Sequence, residues 1–218
     1  MSTEVKIDLH VHSFYSPDSL ITPEDLVFWA RKRGLTAVAV TDHDMIEGAL
    51  KIAKENSFPI VPGMEISSLD GHIVAFNVRE RIPKGLSSAE TVDRIHNVGG
   101  IAVAVHPFAL LKNSLGRQAD AKFDAIETIN ASAFPFNRNV AKAGEIAASF
   151  GKPSVGGTDA HYGPAIGYAY TIVDSQPNAE DILKAILAGR CKAFGKPVPF
   201  TLKLAKQYHY YLKKVKHV

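Results

Sequence analysis

Lys6-Ile7-Asp8-Leu9-His10-Val11-His12-Ser13 is the stretch from which the rest of the chain can be read. In a β-strand successive side chains alternate faces, so Asp8, His10 and His12 are expected on one face and Ile7, Leu9 and Val11 on the other. The apolar set is a core face. The polar set places two imidazoles at the end of a strand with a carboxylate behind them, the pattern of a metal-ligand pair. A pair is not yet a site, because a catalytic zinc takes about three protein ligands. The remaining residues must supply the rest.

They do so at the ends of predicted strands. Residues 36–41 (Thr-Ala-Val-Ala-Val-Thr) read as a buried strand running into Asp42-His43-Asp44. A short strand at 58–61 leads to Gly63-Met64-Glu65, and one at 101–105 ends on His106-Pro107. Residues 125–129 end at Asn130, and 153–157 run into Thr158-Asp159-Ala160-His161. His72 is the exception, since it opens a strand (72–78) instead of closing one. Helices fill the intervals. Thr22 caps the first, with Pro23 at its first position, Glu24 and Asp25 in its first turn and Gly34 after its end. Residues 46–55 form a second, and Ser87 with Glu90 is a capping box opening a third that Gly99-Gly100 stops. Residues 137–150 and 179–188 are two more. Strand, loop and helix repeated roughly seven times predict an α/β protein with a parallel sheet. No Gly-rich nucleotide fingerprint is present, so a doubly wound nucleotide-binding sheet has little support. In an α/β barrel, the C-terminal ends of the strands are the catalytic rim.

The 218 residues, 46% hydrophobic and 22% charged, suit one soluble globular domain with a full core. The reading is a single domain over 1–218: a motif-bearing barrel at about 5–175 and a basic helical segment at about 190–218. The single cysteine, Cys191, excludes an internal disulfide framework, and no run approaches the roughly 20 apolar residues of a membrane span. With no signal-peptide pattern, a cytoplasmic enzyme without a membrane partner is expected. Net charge is +3, but 190–218 holds eight Lys/Arg and no Asp/Glu, so the other 17 basic residues face 22 acidic ones. A helix at 201–215 puts Leu204, Tyr208, Tyr211, Leu212 and Val215 on one side and lysines on the other. Its apolar side is expected against the barrel. The alternative is a nucleic-acid contact, in which Tyr208, Tyr210 and Tyr211 stack bases while lysines follow the backbone.

Six of the nine histidines lie in these motifs: His10, His12, His43, His72, His106 and His161. His96, His209 and His217 do not. Burying six imidazoles beside Glu65 and Asp159 without a common partner would be costly, so a metal site is expected. The number of candidate ligands is enough for two or three ions. Imidazole and carboxylate without thiolate suit Zn, Mn or Fe.

The ordered set Asp8-x-His10-x-His12, Thr41-Asp42-His43-Asp44, Gly63-x-Glu65-x-Ser67, His106-Pro107 and Asp159-x-His161 resembles the PHP (polymerase and histidinol phosphatase) family. The matching segments run over roughly three quarters of the chain. The resemblance implies a distorted seven-stranded (β/α) barrel of PHP type, here with a C-terminal helical appendage. It also implies a trinuclear site: His10, His12, Glu65 and Asp159 around one ion, Glu65 bridging to a second completed by His72 and His106, and Asp18, His43 and His161 at the third. Asp8 is implied to support ligands and not to be one. Where the family often has Ser-Asp-Gly, this chain has Ser16-Pro17-Asp18-Ser19. The implied activity is hydrolysis of phosphate esters (small phosphomonoesters, nucleotides or short oligonucleotides) by a metal-activated hydroxide, with Glu65 and Asp159 as catalytic carboxylates. Arg138, Lys112 and Asn130 are candidates to touch substrate, and the basic tail could meet nucleic acid. Two other functions fit parts of the pattern: a metal-dependent amidohydrolase, which also opens with His-x-His on a barrel strand, and a non-catalytic RNA-binding scaffold of the same fold.

Overall fold

The structure is a computed structural model that describes residues 4–120 and 122–216. Its strands are β1 (Glu4–Asp8), β2 (Ala37–His43), β3 (Ile60–Ser67), β4 (His72–Phe76), β5 (Ile101–Ala104), β6 (Ala125–Asn130), β7 (Ser154–Gly157), β8 (Ala169–Asp174) and β9 (Cys191–Gly195). The helices are α1 (Pro23–Lys32), α2 (Glu47–Glu55), α3 (Ser88–Asn97), α4 (Phe136–Ser149), α5 (Ala179–Leu187) and α6 (Phe200–Lys216). The caps form as their sequences dictate. Thr22 accepts from the Asp25 N–H, Ser87 and Glu90 make the reciprocal box, and Asn178 accepts from the Asp181 N–H.

The strands form one sheet of nine in the order β7-β6-β5-β4-β3-β2-β1-β8-β9. β1, β2 and β3 are parallel, as are β5, β6 and β7, while β4 and β8 run antiparallel to their neighbours. The expected seven-stranded parallel sheet is therefore corrected to a mixed sheet of nine. The two extra strands, β8 and β9, follow the last ligand motif and pair antiparallel, with α5 between them in the chain. The reversal of β4 also removes the anomaly of His72. An antiparallel strand begins where its parallel neighbours end, and His72 pairs with Ser67, the last residue of β3.

The sheet nearly closes on itself. At the rim, Val11 just beyond β1 bridges Ala160 just beyond β7. Below the rim the Thr171 hydroxyl of β8 accepts from the Gly156 N–H and donates to the Gly156 carbonyl of β7. Two apolar layers result. The inner one takes alternate residues from the strands (Ile7, Ala39, Val61, Val74, Val103) together with Ile182, Leu183 and Ile186 of α5, so α5 plugs the end of the barrel opposite the ligand rim. The outer layer sets Val38, Val40, Met64 and Ile126 against α1 to α4. Ile7 and Leu9 are inner but Val11 is outer, so the alternation changes phase after β1 ends at Asp8. Asp8, His10 and His12 consequently do not share one strand face.

α6 is the second correction. Tyr208 and Tyr211 are 61% and 65% exposed, and Leu204 and Val215 are exposed as well. The half-buried face carries Lys203, Lys206, Tyr210 and Lys213. Polar contacts to the rim hold the helix this way up. The Tyr210 hydroxyl donates to the Pro17 carbonyl (3.4 Å), Lys213 to the Ser19 carbonyl (3.2 Å), and His209 stacks on Tyr162. His217 and Val218 lie outside the described residues. No helix among the described residues is long and apolar enough to cross a membrane.

Candidate metal centre

Glu65, near the end of β3 and 1% exposed, is the hub of the rim. Its Oε1 lies 3.0 Å from His72 Nδ1, 3.0 Å from His106 Nε2 and 3.4 Å from His10 Nε2. Its Oε2 lies 3.2 Å from both His12 Nε2 and His43 Nδ1. Five imidazoles thus divide between the two oxygens of one carboxylate. Asp159 Oδ1 stands 3.5 Å from His12 and from His161, and 3.8 Å from His10. Both His106 and Asp159 have positive φ, +33° and +57°. A non-glycine residue reaches that region only under strain of roughly 1–3 kcal/mol, which recurs where a backbone must aim a functional side chain.

Buried hydrogen bonds set the orientation of the rings. His10 Nδ1 donates to Glu127 Oε1 (3.1 Å), and Glu127 Oε2 accepts from the His106 N–H (2.8 Å) and from Asn130 Nδ2 (2.9 Å). Ser16 Oγ donates to Asp42 (2.9 Å), which leaves it to accept from His12 Nδ1 (3.2 Å) and from the His43 N–H (3.0 Å). His161 Nδ1 donates to the Asp159 carbonyl (3.2 Å). In each ring these partners hold a proton on Nδ1, which leaves Nε2 as the nitrogen that would ligate a metal. Asp8 takes no part in the cluster. Its oxygens accept from the backbone N–H groups of His10, Thr158 and Gly167, tying β1 to the top of the sheet, and burial pushes its carboxyl up to about 6. Asp44 likewise accepts from the Ser67 N–H and hydroxyl. Of the Asp42-His43-Asp44 motif, only His43 joins the cluster.

The residues present fit divalent cations. Nε2 of His10 and His12 and Nδ1 of His106 are buried with no hydrogen-bond partner, although carboxylate oxygens lie close to the first two. Four overlapping sets of three ligand atoms lie within 4.8 Å of one another: His10/His12/Glu65, His10/His106/Asp159, His43/Glu65/His72 and His12/His43/His161. An ion about 2.0–2.2 Å from each donor satisfies such a spacing. The charge balance agrees. Burial would raise the Glu65 and Asp159 carboxyls, but the imidazoles around Glu65, and Lys112 with His10 beside Asp159, hold both well below the usual carboxylate range. Burial would lower His12, but the Asp159 and Glu65 carboxylates beside it lift it to about 9. Burial and the nearby His12 charge push His161 down to about 4. The cluster demands positive charge at its centre.

The structure brings all nine proposed ligands to one rim, eight of them in overlapping sets of three. His72 groups with His43 and His106 with His10 and Asp159, while His43 and His161 are joined through His12. Asp18, 43% exposed, meets only His161 Nε2 (3.1 Å) among the ligand atoms. Of the three candidate substrate contacts, Lys112 lines the cleft over the rim and its ammonium pairs with Asp159. Asn130 is fully buried, donating to Glu127 and accepting from the Ser132 N–H, so it braces the site instead of facing the cleft. Arg138 is exposed on α4 and does not line the cleft. Sequence reading missed Glu127 and Ser16. A lone Glu inside the apolar run Ala125-Ile126-Glu127-Thr128-Ile129 was the available signal, since a carboxylate in a buried strand needs donors.

The PHP domain family matches residues 8–116, and a family described as PHP-associated matches 137–191. The chain belongs to the PHP family. It is 38% identical over 141 residues to an uncharacterized protein of Methanocaldococcus jannaschii, a match covering 58% of this chain and 82% of that one. A 5'-3' exoribonuclease of Haemophilus influenzae is 40% identical over 86 residues, 36% of this PHP chain and 31% of its own length. Among solved structures, a two-domain protein from Bacteroides vulgatus containing a predicted PHP-like metal-dependent phosphoesterase shares the fold. The TM-score is 0.70 at 18% identity, over 89% of this chain and 66% of that one.

Proposed function

We propose that this chain is a metal-dependent phosphoesterase acting on a phosphorylated small molecule, a nucleotide or a short oligonucleotide. The observation that carries the reading is the division of five imidazoles between the two oxygens of Glu65, a bridging geometry, directly under a cleft of about 830 Å³ that Lys112 lines. Ligands for two to three divalent ions (Zn, Mn or Fe) are His10, His12, His43, Glu65, His72, His106, Asp159 and His161, with Asp18 at the margin. Such ions supply Lewis acidity toward phosphoryl oxygens and lower the pKa of water.

The chain's own residues do the rest. Glu65 and Asp159 hold negative charge at the floor of the cleft, where they would hold divalent cations. Glu127 and the Asp42–Ser16 pair keep His10 and His12 in the ligating tautomer. Lys112 brings an ammonium to the reacting phosphate from the wall. Of the described residues lining the cleft, Ser132 is the one aliphatic hydroxyl, and it donates to the Asp159 carbonyl (3.3 Å), so water serves as the nucleophile. The test is elemental analysis of the purified protein joined to a phosphate-release screen over sugar phosphates, mono- and dinucleotides and histidinol phosphate, with and without Mn²⁺. Two to three metal equivalents and release from one class are expected, with release lost in Glu65→Gln. Wild-type turnover in Glu65→Gln would overturn the bridging role. Bound metal without phosphate release from any ester would turn the assignment to an amide substrate.

A further inference from the structure

α6 is amphipathic, and an amphipathic helix on a soluble protein normally buries its apolar stripe. Here Leu204, Tyr208, Tyr211 and Val215 face water, and lysines are turned toward the barrel. Two of them, Lys203 and Lys206, roof the cleft whose floor is the ligand cluster, and Lys112 stands on its wall. Lys203 finds only the Ser132 carbonyl, at 3.5 Å, and among the described residues Lys206 makes no ion pair. Three ammonium groups around one cavity repel one another; Lys112 is committed to Asp159, and among the described residues neither roof lysine makes an ion pair, Asp159 (and Asp18 for Lys206) attracting them only from beyond that distance. Burial lowers both roof lysines from the ordinary value, with Lys112 adding to it and Asp159, joined at Lys206 by Asp18, opposing it. Such an arrangement is stabilised by an anion.

The cleft is also too large for a phosphate alone, since a volume of this size holds a drug-sized molecule. Between floor and roof, its edge is apolar. Leu111 is 93% exposed with φ +62°, and Phe134 beside it is exposed as well. An exposed aromatic ring at the mouth of a cationic cleft is a platform for a flat ring system.

We infer that Lys203 and Lys206 form a second anion site, which selects phosphate esters carrying another anionic group across a flat body from the reacting phosphate. A 5'-phosphorylated dinucleotide has this chemistry. The reacting phosphate lies on the floor near Lys112, a base lies against Phe134, and the second phosphate meets the roof. This inference rests on the phosphoesterase reading of the same cleft.

The experiment compares wild type with Lys203→Gln/Lys206→Gln on phenyl phosphate and on the 5'-phosphorylated dithymidylate pTpT. Metal content and melting temperature are recorded for both proteins. Removing like charges that repel each other does not threaten the fold. The expected result is that kcat/KM for pTpT falls about tenfold or more beyond any fall for phenyl phosphate, mainly through KM, at unchanged metal content. An equal fall on both substrates, or none on either, overturns the second site. Should wild type release no phosphate from either ester, the phosphoesterase reading fails separately, and binding of fluorescein-labelled pTpT decides the site. Binding about tenfold weaker in the double variant supports it; equal binding overturns it.

Discussion

Glu127→Gln tests the reasoning about ring orientation with a change that leaves volume almost untouched. The carboxylate is fully buried and accepts three hydrogen bonds, from His10 Nδ1, the His106 N–H and Asn130 Nδ2. A glutamine offers one carbonyl oxygen. Placed at the Oε2 position, it keeps the two donors there, and its NH₂ then faces His10 Nδ1. Two donors cannot face each other, so His10 must accept at Nδ1 and move its proton to Nε2. That nitrogen is the one 3.4 Å from Glu65 and 3.8 Å from Asp159. The ligating lone pair is lost unless the ring tautomerises back against an unfavourable contact.

Partners of this kind are worth about 10–100-fold in metal affinity, or roughly 1.4–2.7 kcal/mol. A chelator-competition titration should therefore show the tightest site weakened by about that factor. Long-range ¹H–¹⁵N spectra of the metal-free protein should show the Nδ1 proton of His10 lost in the variant. The melting temperature of the metal-free variant serves as a control, with a shift of about 2–4 °C for each kcal/mol of lost hydrogen bonding. If metal affinity stays within threefold of wild type while the His10 proton remains on Nδ1, Glu127 is not what orients the ring.

Three further perturbations separate the site from its scaffold. A Cβ added at Gly157 would collide with His10 Cβ and come within 2.8 Å of the His10 backbone nitrogen, which no side-chain rotation relieves. Gly157→Ala should therefore cost about 1–3 kcal/mol in urea denaturation and lower the bound metal, and a variant with wild-type values would show that the two strand ends have room to spare. Ile182→Ala, in the α5 plug at the opposite end, should cost about 2–5 kcal/mol yet leave metal affinity unchanged; a matching loss of metal would mean that the plug and the rim are coupled. Metal at about 100 times its dissociation constant should raise stability by about 2.7 kcal/mol, reversibly with chelator. No shift with Zn, Mn or Fe would sink the ligand assignment.

What the sequence disclosed and what it concealed divide along a physical line. His10, His12, His43, Glu65, His106, Asp159 and His161 were legible because each sits where an apolar run stops, and a run of buried strand residues is a local pattern. Glu127 was hidden because the two partners that tie it to the cluster, His106 and His10, are 21 and 117 residues away, and its one partner within β6, Asn130, says nothing of them. His72 looked misplaced because strand direction is decided by pairing across the sheet, which no local pattern encodes. β8 carried a readable signal, the aromatic and β-branched run 168–173 after Gly167, but it follows the last ligand motif, where attention to chemistry gives no reason to look.

α6 shows a different kind of failure. Its period was correct and its orientation was wrong, because an amphipathic pattern states which residues share a face but not which face has the better partner. The rim supplies open carbonyls at Pro17 and Ser19, a ring at Tyr162 and a floor rich in carboxylate charge, and these favour the lysine side. Leu204, Tyr208, Tyr211 and Val215 meet no comparable surface and stay in water. Periodicity therefore assigns faces reliably only where the surface beneath is apolar. Over a charged centre, the polar face of a helix is the one that docks.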